Sequence, residues 1–155
     1  MRSSQFDCTP RDNNMLLDAI NHIATLSNDV ERLGAFYAQV FDAEVGPTRA
    51  HGEDSSETMT TIRIGPHTDL NVFVIEGNAQ ADRQTPMWGR GRIDHIGFQA
   101  ASSLAFATIR QRLMDAGASD GTVNDFGTVY SLFFRDPDGL EGEVLIGKSD
   151  HNIGS

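Results

Sequence analysis

Basic side chains are scarce in this 155-residue chain: 12 Lys and Arg face 22 Asp and Glu, giving a formal net charge of -10 at pH 7. Such a surface repels phosphate backbones and anionic headgroups, so nucleic acid and membrane surfaces are not expected partners. Cysteine is scarcer still. Cys8 is the only one, which excludes an intrachain disulfide framework and any thiolate metal cluster. It lies in the polar opening stretch "MRSSQFDCTPRDNN" and reads as a bystander rather than a nucleophile. That stretch lacks the apolar segment of a secretory leader, and no apolar run reaches the roughly 20 residues of a membrane span. A cytoplasmic protein is expected. The glycines of "GRGR" at 89–92 lack the strand-to-helix setting of a phosphate loop and read as flexible linker.

What the sequence does contain is one plan written twice. "LLDAINHIATL" reads as a strand, and "SNDVERLGAFYAQVF" as an amphipathic helix at about 29–42 with Asn28 as N-cap and Glu31 completing a capping box. "GPTRAHGEDSSE" reads as a loop or weakly paired edge, followed by a hairpin of "TMTTIRIG" and "DLNVFVIEG" around "PHT". A breaker-rich linker over 78–91 separates this from a second strand, "RIDHIGFQA", and a second helix at about 103–116 with Gly117 as its stop. Two further strands, "TVYSLFFR" and "LEGEVLI", flank the turn "DPDG". The expectation is an α+β domain over 16–147, built of two β-α-β-β-β modules (about 16–77 and 92–147) whose mixed sheets form a cup. Tails over 1–15, disordered, and 148–155 complete the expected layout.

Each module opens with a histidine between Asn or Asp and isoleucine: "NHI" at 21–23 and "DHI" at 94–96. Side chains alternate along a strand, so Ile23, and Ile96 with Phe98, take the helix-covered face while His22 and His95 take the other. In the last strand Glu141 and Glu143 share a face, which brings a carboxylate to the same interior. Two imidazoles and one carboxylate from three strands make a 2-His-1-carboxylate ligand set with open coordination positions. The alternative, two hydrogen-bonded core histidines and a solvated glutamate, does not account for the repetition.

"NHIATLSNDVERLGAFYAQVF" and "FFRDPDGLEGEV" resemble the opening strand and helix and the closing turn and strand of the vicinal oxygen chelate superfamily, which includes glyoxalase I, extradiol dioxygenases and bleomycin and fosfomycin resistance proteins. The resemblance implies His22, His95 and Glu143 as ligands of a divalent ion (Fe2+, Mn2+, Ni2+ or Zn2+). Glu143 stands four residues after the turn glycine, Gly139, where the superfamily keeps its ligand glutamate. A glyoxalase-like member has a fourth ligand in the last strand of the first half. The resemblance places that position nearest Val74, with Glu76 in phase beyond it as a ligand, a base or a surface residue. An extradiol enzyme has a tyrosine beside the metal, and here the strand offers Tyr130 several residues before Phe133 and Phe134. Glu141, in phase with Glu143, is a candidate general base, alongside Glu76 and Tyr130.

Trp88, Phe73, Phe134 and Tyr130 are candidates for an apolar wall, and "DPDG" reads as turn chemistry, with Asp136 accepting backbone hydrogen bonds. His51, His67 and His151 read as exposed bystanders. The functional expectation is a metal-dependent enzyme chelating vicinal oxygens of a small organic substrate, dioxygenase-like in preference to glyoxalase-like lyase or isomerase. The alternative is a non-catalytic ligand- or antibiotic-binding protein of the bleomycin-resistance type. The sequence leaves open whether the cup closes within one chain or between two, as a homodimer.

Overall fold

The computed structural model describes residues 16, 19–52, 56–83, 85 and 88–148. The expected tail at 1–15, with Cys8, and residues 149–155, with His151, lie outside them. The first module runs β1 (His22–Leu26), α1 (Val30–Phe41), β2 (Glu44–Val45), β3 (Arg49–His51), β4 (Glu57–Arg63) and β5 (Asp69–Ile75). The second runs β6 (Ile96–Gln99), α2 (Ser103–Asp115), β7 (Val123–Asp125), β8 (Val129–Arg135) and β9 (Glu141–Gly147).

Each module closes the same way. The first strand pairs parallel with the last, β1 with β5 and β6 with β9, and the remaining strands continue antiparallel. The crossover helix makes the parallel pairing possible, because parallel neighbours need a long connection. The edge of the first sheet is interrupted: β2 and β3 both pair with β4, β3 in the polar stretch expected as a loop or weak edge and β2 just before it. The fold is thus α+β, two mixed sheets with two helices.

Helix α1 starts one residue later than the capping box suggested. Asp29, not Asn28, accepts the Arg32 amide at 2.9 Å, while Asn28 donates to Asp82 in the linker at 2.6 Å. Apolar residues at helical spacing, Leu33, Phe36, Tyr37 and Val40, are buried with Ile62, Leu70 and Val72 of the first sheet and Leu132, Phe134, Val144 and Ile146 of the second. One core therefore serves both modules. Phe41 of α1 lies 6.1 Å from Phe98 of β6 and 5.3 Å from Phe134 of β8, ring centre to ring centre. Polar contacts extend the junction: the Tyr37 hydroxyl donates to Asp136 at 3.2 Å, and Arg32 pairs with Asp138 at 2.7 Å, both acids in the turn before β9. The Asp136 carboxylate also accepts the amides of Asp138 and Leu140, each at 2.9 Å, the turn role expected of it.

Glycine at 142 is a packing requirement. A Cβ there would lie 2.3 Å from the Phe134 ring, so only glycine lets this ring pass beneath β9 between Glu141 and Glu143.

Candidate metal centre

The fully buried Leu132, Val144 and Ile146 fix the phase of the second sheet: they face the core, so Ser131, Phe133, Glu141, Glu143 and Leu145 take the opposite face. His95 sits immediately before β6, whose register sets Gly97 against Glu143. Its Nε2 approaches Glu143 Oε2 to 3.4 Å. The other atom of each group is occupied. His95 Nδ1 lies 3.0 Å from Asp94 Oδ2, and Glu143 Oε1 accepts a short hydrogen bond from the fully buried Ser131 hydroxyl.

This arrangement aims one imidazole nitrogen and one carboxylate oxygen at the same point while partners hold their reverse sides. That is how ligand histidines and carboxylates are ordinarily oriented around an ion. Gly97 keeps the space clear, since a Cβ there would stand 3.8 Å from Glu143 Oε2 and 3.0 Å from Leu145. The repeated "NH" and "DH" pairs gain a physical meaning here. Asn21 Oδ1 meets His22 Nδ1 at 2.8 Å as Asp94 meets His95, so in both modules the preceding residue engages Nδ1 of the ring.

His22, at the start of β1, is exposed and makes no contact with His95 or Glu143. Among the described residues no group of three or more His, Cys, Asp or Glu side chains gathers closely enough to hold an ion. The chain brings His95 and Glu143 together and leaves His22 apart.

The linker takes an unexpected part. Arg90, from the supposedly free "GRGR", pairs with Glu141 at 2.7 Å, approaches Asp94 Oδ2 at 3.9 Å and donates to the Asp94 carbonyl at 3.3 Å. The Trp88 amide also donates to Asp94, and its ring meets the His95 ring edge to face at 6.3 Å. The hydrogen bond with His95 above all holds Asp94 below the usual carboxylate range, helped by Trp88 and Arg90 against partial burial. Sequence reasoning missed Ser131, Asp94 and Arg90; the repeated residue before each histidine was the available signal for Asp94.

Glu141 is buried, its Oε2 shared by Arg90 and, at 3.5 Å, Arg135. It is engaged in ion pairs rather than open to a cavity. Tyr130 shares a face with Leu132 and Phe134, packs against the core, and lies beneath the Lys148 ammonium at 5.0 Å, on the face away from Glu143. Glu76 is exposed in the turn after β5. The aromatic wall also changes membership: Phe134 is core, whereas Phe133 stands edge to face with His95 at 5.7 Å. Phe73 lies on the His22 side of its sheet, 5.1 Å from His51.

The position opposite the first histidine needs a correction. His22 and His95 each precede by two a residue in register with the last strand: Ala24 against Asn71, and Gly97 against Glu143. Asn71, not Val74, is the counterpart of Glu143, and it accepts from the Thr61 hydroxyl at 3.3 Å. Val74 is in phase with buried Leu70 and Val72, on the core side.

Residues 19–144 match the model of the Glyoxalase/Bleomycin resistance protein/Dioxygenase superfamily, and the chain belongs to that family. None of the curated proteins matches it in sequence. Among solved structures, a glyoxylase/bleomycin resistance protein/dioxygenase domain from Frankia sp. EAN1pec is similar at 19% identity and TM-score 0.70, over 87% of this chain and 96% of that one. A glyoxalase family protein from Enterococcus faecalis is similar at 20% identity and TM-score 0.64, over 84% and 99%. The fosfomycin resistance protein FosX from Listeria monocytogenes, complexed with Mn(II) and sulfate, is similar at 18% identity and TM-score 0.59, over 87% and 98%. At these identities the likeness is one of fold.

Proposed function

We propose that the protein is a metal-dependent enzyme that chelates vicinal oxygens of a small organic substrate at a site of His22, His95 and Glu143, completed between two copies of the chain. The observation that carries this reading is the 3.4 Å approach of His95 Nε2 to Glu143 Oε2, with both groups held from behind. The donor set, imidazole nitrogen and carboxylate oxygen, suits Mn2+, Fe2+, Ni2+ or Zn2+. Such an ion, when bound, supplies Lewis-acid polarisation of substrate oxygens or a redox centre.

The chain's own contribution is orientation. Asp94 and Ser131 fix the two ligand groups, Arg90 ties the linker to Asp94 and Glu141, and Phe133 and Trp88 flank His95 with apolar surface. The counterpart of Glu143 in the first module is the neutral Asn71, and Glu76 lies in an exposed turn. This supports a site with three protein ligands, open positions on one face, and dioxygenase-like chemistry in preference to glyoxalase-like isomerisation.

A second copy follows from the isolation of His22. Asn21 engages its Nδ1 as Asp94 engages that of His95, and among the described residues it joins no group of three or more His, Cys, Asp or Glu side chains. Two chains exchanging faces would give each His95 and Glu143 pair a His22 from the other chain. The test is complementation. Mixed under conditions that allow exchange, His22→Ala and Glu143→Gln chains should regain tight Mn(II) binding at one site per dimer, whereas neither variant alone should bind tightly. A wild-type protein that is monomeric yet binds the ion tightly would refute the exchange.

A further inference from the structure

The histidine repeat has a second, longer-range companion. In the first sheet Arg63, Asp69 and His22 lie in register across β4, β5 and β1, and Arg63 Nε donates to Asp69 at 3.0 Å. In the second sheet Arg135 pairs in register with Glu141 across β8 and β9, its Nε 3.5 Å from that carboxylate, and His95 stands one residue before the Ile96 and Gly142 pair, in line with Glu141. Each module therefore sets an arginine, an acid and its repeated histidine along one row. In both rows Nε is paired with the acid, by a hydrogen bond in the first and an ion pair in the second. Arg63 and Arg135 are 57% and 58% exposed, against 12% for Arg90.

The two arginines differ from Arg90 in what they leave unspent. Arg90 is enclosed and serves two acids. Arg135 pairs through Nε with Glu141 and keeps more than half of its side chain exposed, on the sheet face shared by Phe133 and Glu143. Arg63 places only one Nη, at a long 3.5 Å, on Asp69. A guanidinium fixed at one edge and open at the other is prepared for bidentate hydrogen bonding to a carboxylate, phosphonate or phosphate. In a chain of net charge -10, a cation on this face would be of little use for general attraction and is suited to a local contact.

We propose that Arg135, with Arg63 as its repeat counterpart, forms an anion subsite beside the ion site, so that the substrate carries an oxyanion in addition to its chelating oxygens. This deepens the function proposed above and rests on it for the meeting of the two rows in one cup. Arg135 alone stands beside His95 and Glu143 within a single chain.

Inorganic phosphate is the probe. The full-length protein, metal-free and then with Mn(II), is titrated with phosphate while backbone amide and arginine Nε–Hε resonances are followed by NMR in the metal-free sample and Mn(II) affinity by electron paramagnetic resonance. Saturable shifts at Phe133 to Arg135 are expected, and Arg135→Gln should weaken phosphate binding by roughly tenfold or more with Mn(II) affinity unchanged. Arg135→Lys, which keeps the charge but not the fork, should fall between them, and it carries the test if the Gln variant does not fold. Titrations with acetate and methylphosphonate distinguish a carboxylate from a phosphonate site. Phosphate affinity that survives Arg135→Gln, or shifts confined to other regions, overturns the proposal. Failure of the wild type to bind Mn(II) would instead strike the ion-site reading, and the phosphate titration would still decide this one.

Discussion

Burial of Asp136 should make stability fall as the pH rises from about 4 to about 6. Its carboxyl is raised from 3.8 to about 6, chiefly because burial penalises the charged form and Asp138 stands nearby, while the amides of Leu140 and Asp138 and the Tyr37 hydroxyl work the other way. A carboxyl with a raised folded-state pKa binds its proton more tightly in the folded than in the unfolded chain. Its contribution is therefore fully present below about 4 and is lost as the pH climbs through about 6. The rise from 3.8 to about 6 corresponds to roughly 3 kcal/mol in full, of which about 2 kcal/mol falls between pH 4.5 and 7. Asp94, Asp120 and Asp125 are shifted downward and titrate with the opposite sign, so total stability mixes the two. The difference between wild type and Asp136→Asn isolates the contribution of this carboxyl, because Asn keeps an oxygen for both amides and cannot ionise. Urea unfolding of both proteins from pH 4.5 to 7.5 should show Asn gaining on wild type by about 2 kcal/mol. A pH-independent difference, or one of opposite slope, would refute the assignment of Asp136 as a buried carboxyl with a raised pKa.

Metal affinity should separate the acids: Glu143→Gln should lower Mn(II) binding by roughly tenfold or more, whereas Glu76→Gln, in its exposed turn, should leave it unchanged. Equal losses measured by calorimetry would return Glu76 to the ligand set. Asp94→Ala frees His95 Nδ1 and should weaken Mn(II) by about 10- to 100-fold, with far-UV circular dichroism unchanged; unaltered affinity would make the pair ornamental. Gly142→Ala forces a methyl into the Phe134 ring and should cost about 1–3 kcal/mol or more in urea unfolding, and a neutral result would mean that β9 and the ring can part without penalty.

The parts of the fold marked by strong local chemistry were legible in the sequence. Helical spacing located α1 and α2 to within a residue or two, and the duplicated histidine located the two first strands. The capping residue slipped by one because Asn28 and Asp29 are both good caps, and a distant partner, Asp82, claims Asn28. Register was less legible. "LNVFVI" is apolar at nearly every position, so alternation cannot say which face is buried, and only packing of Leu70 and Val72 against the core puts Asn71 on the His22 side. Tyr130 illustrates the same ambiguity, since its strand reads equally well in either phase until Ser131 is found beneath Glu143. Arg90 was invisible for another reason: a linker's ion pairs depend on where its ends are anchored, which composition does not encode.

The aromatic seam between α1 and the second sheet bears on whether the two halves are separable. Phe36 and Phe41 lean on Phe98 and Phe134, while Tyr37 and Arg32 hold the two acids of the turn before β9. A gene fragment encoding only residues 92–148 would present Phe98 and Phe134 to water and deprive Asp136 of its hydroxyl donor. The amino-terminal helix covers the carboxy-terminal sheet, so half-length expression should yield aggregate rather than a small domain.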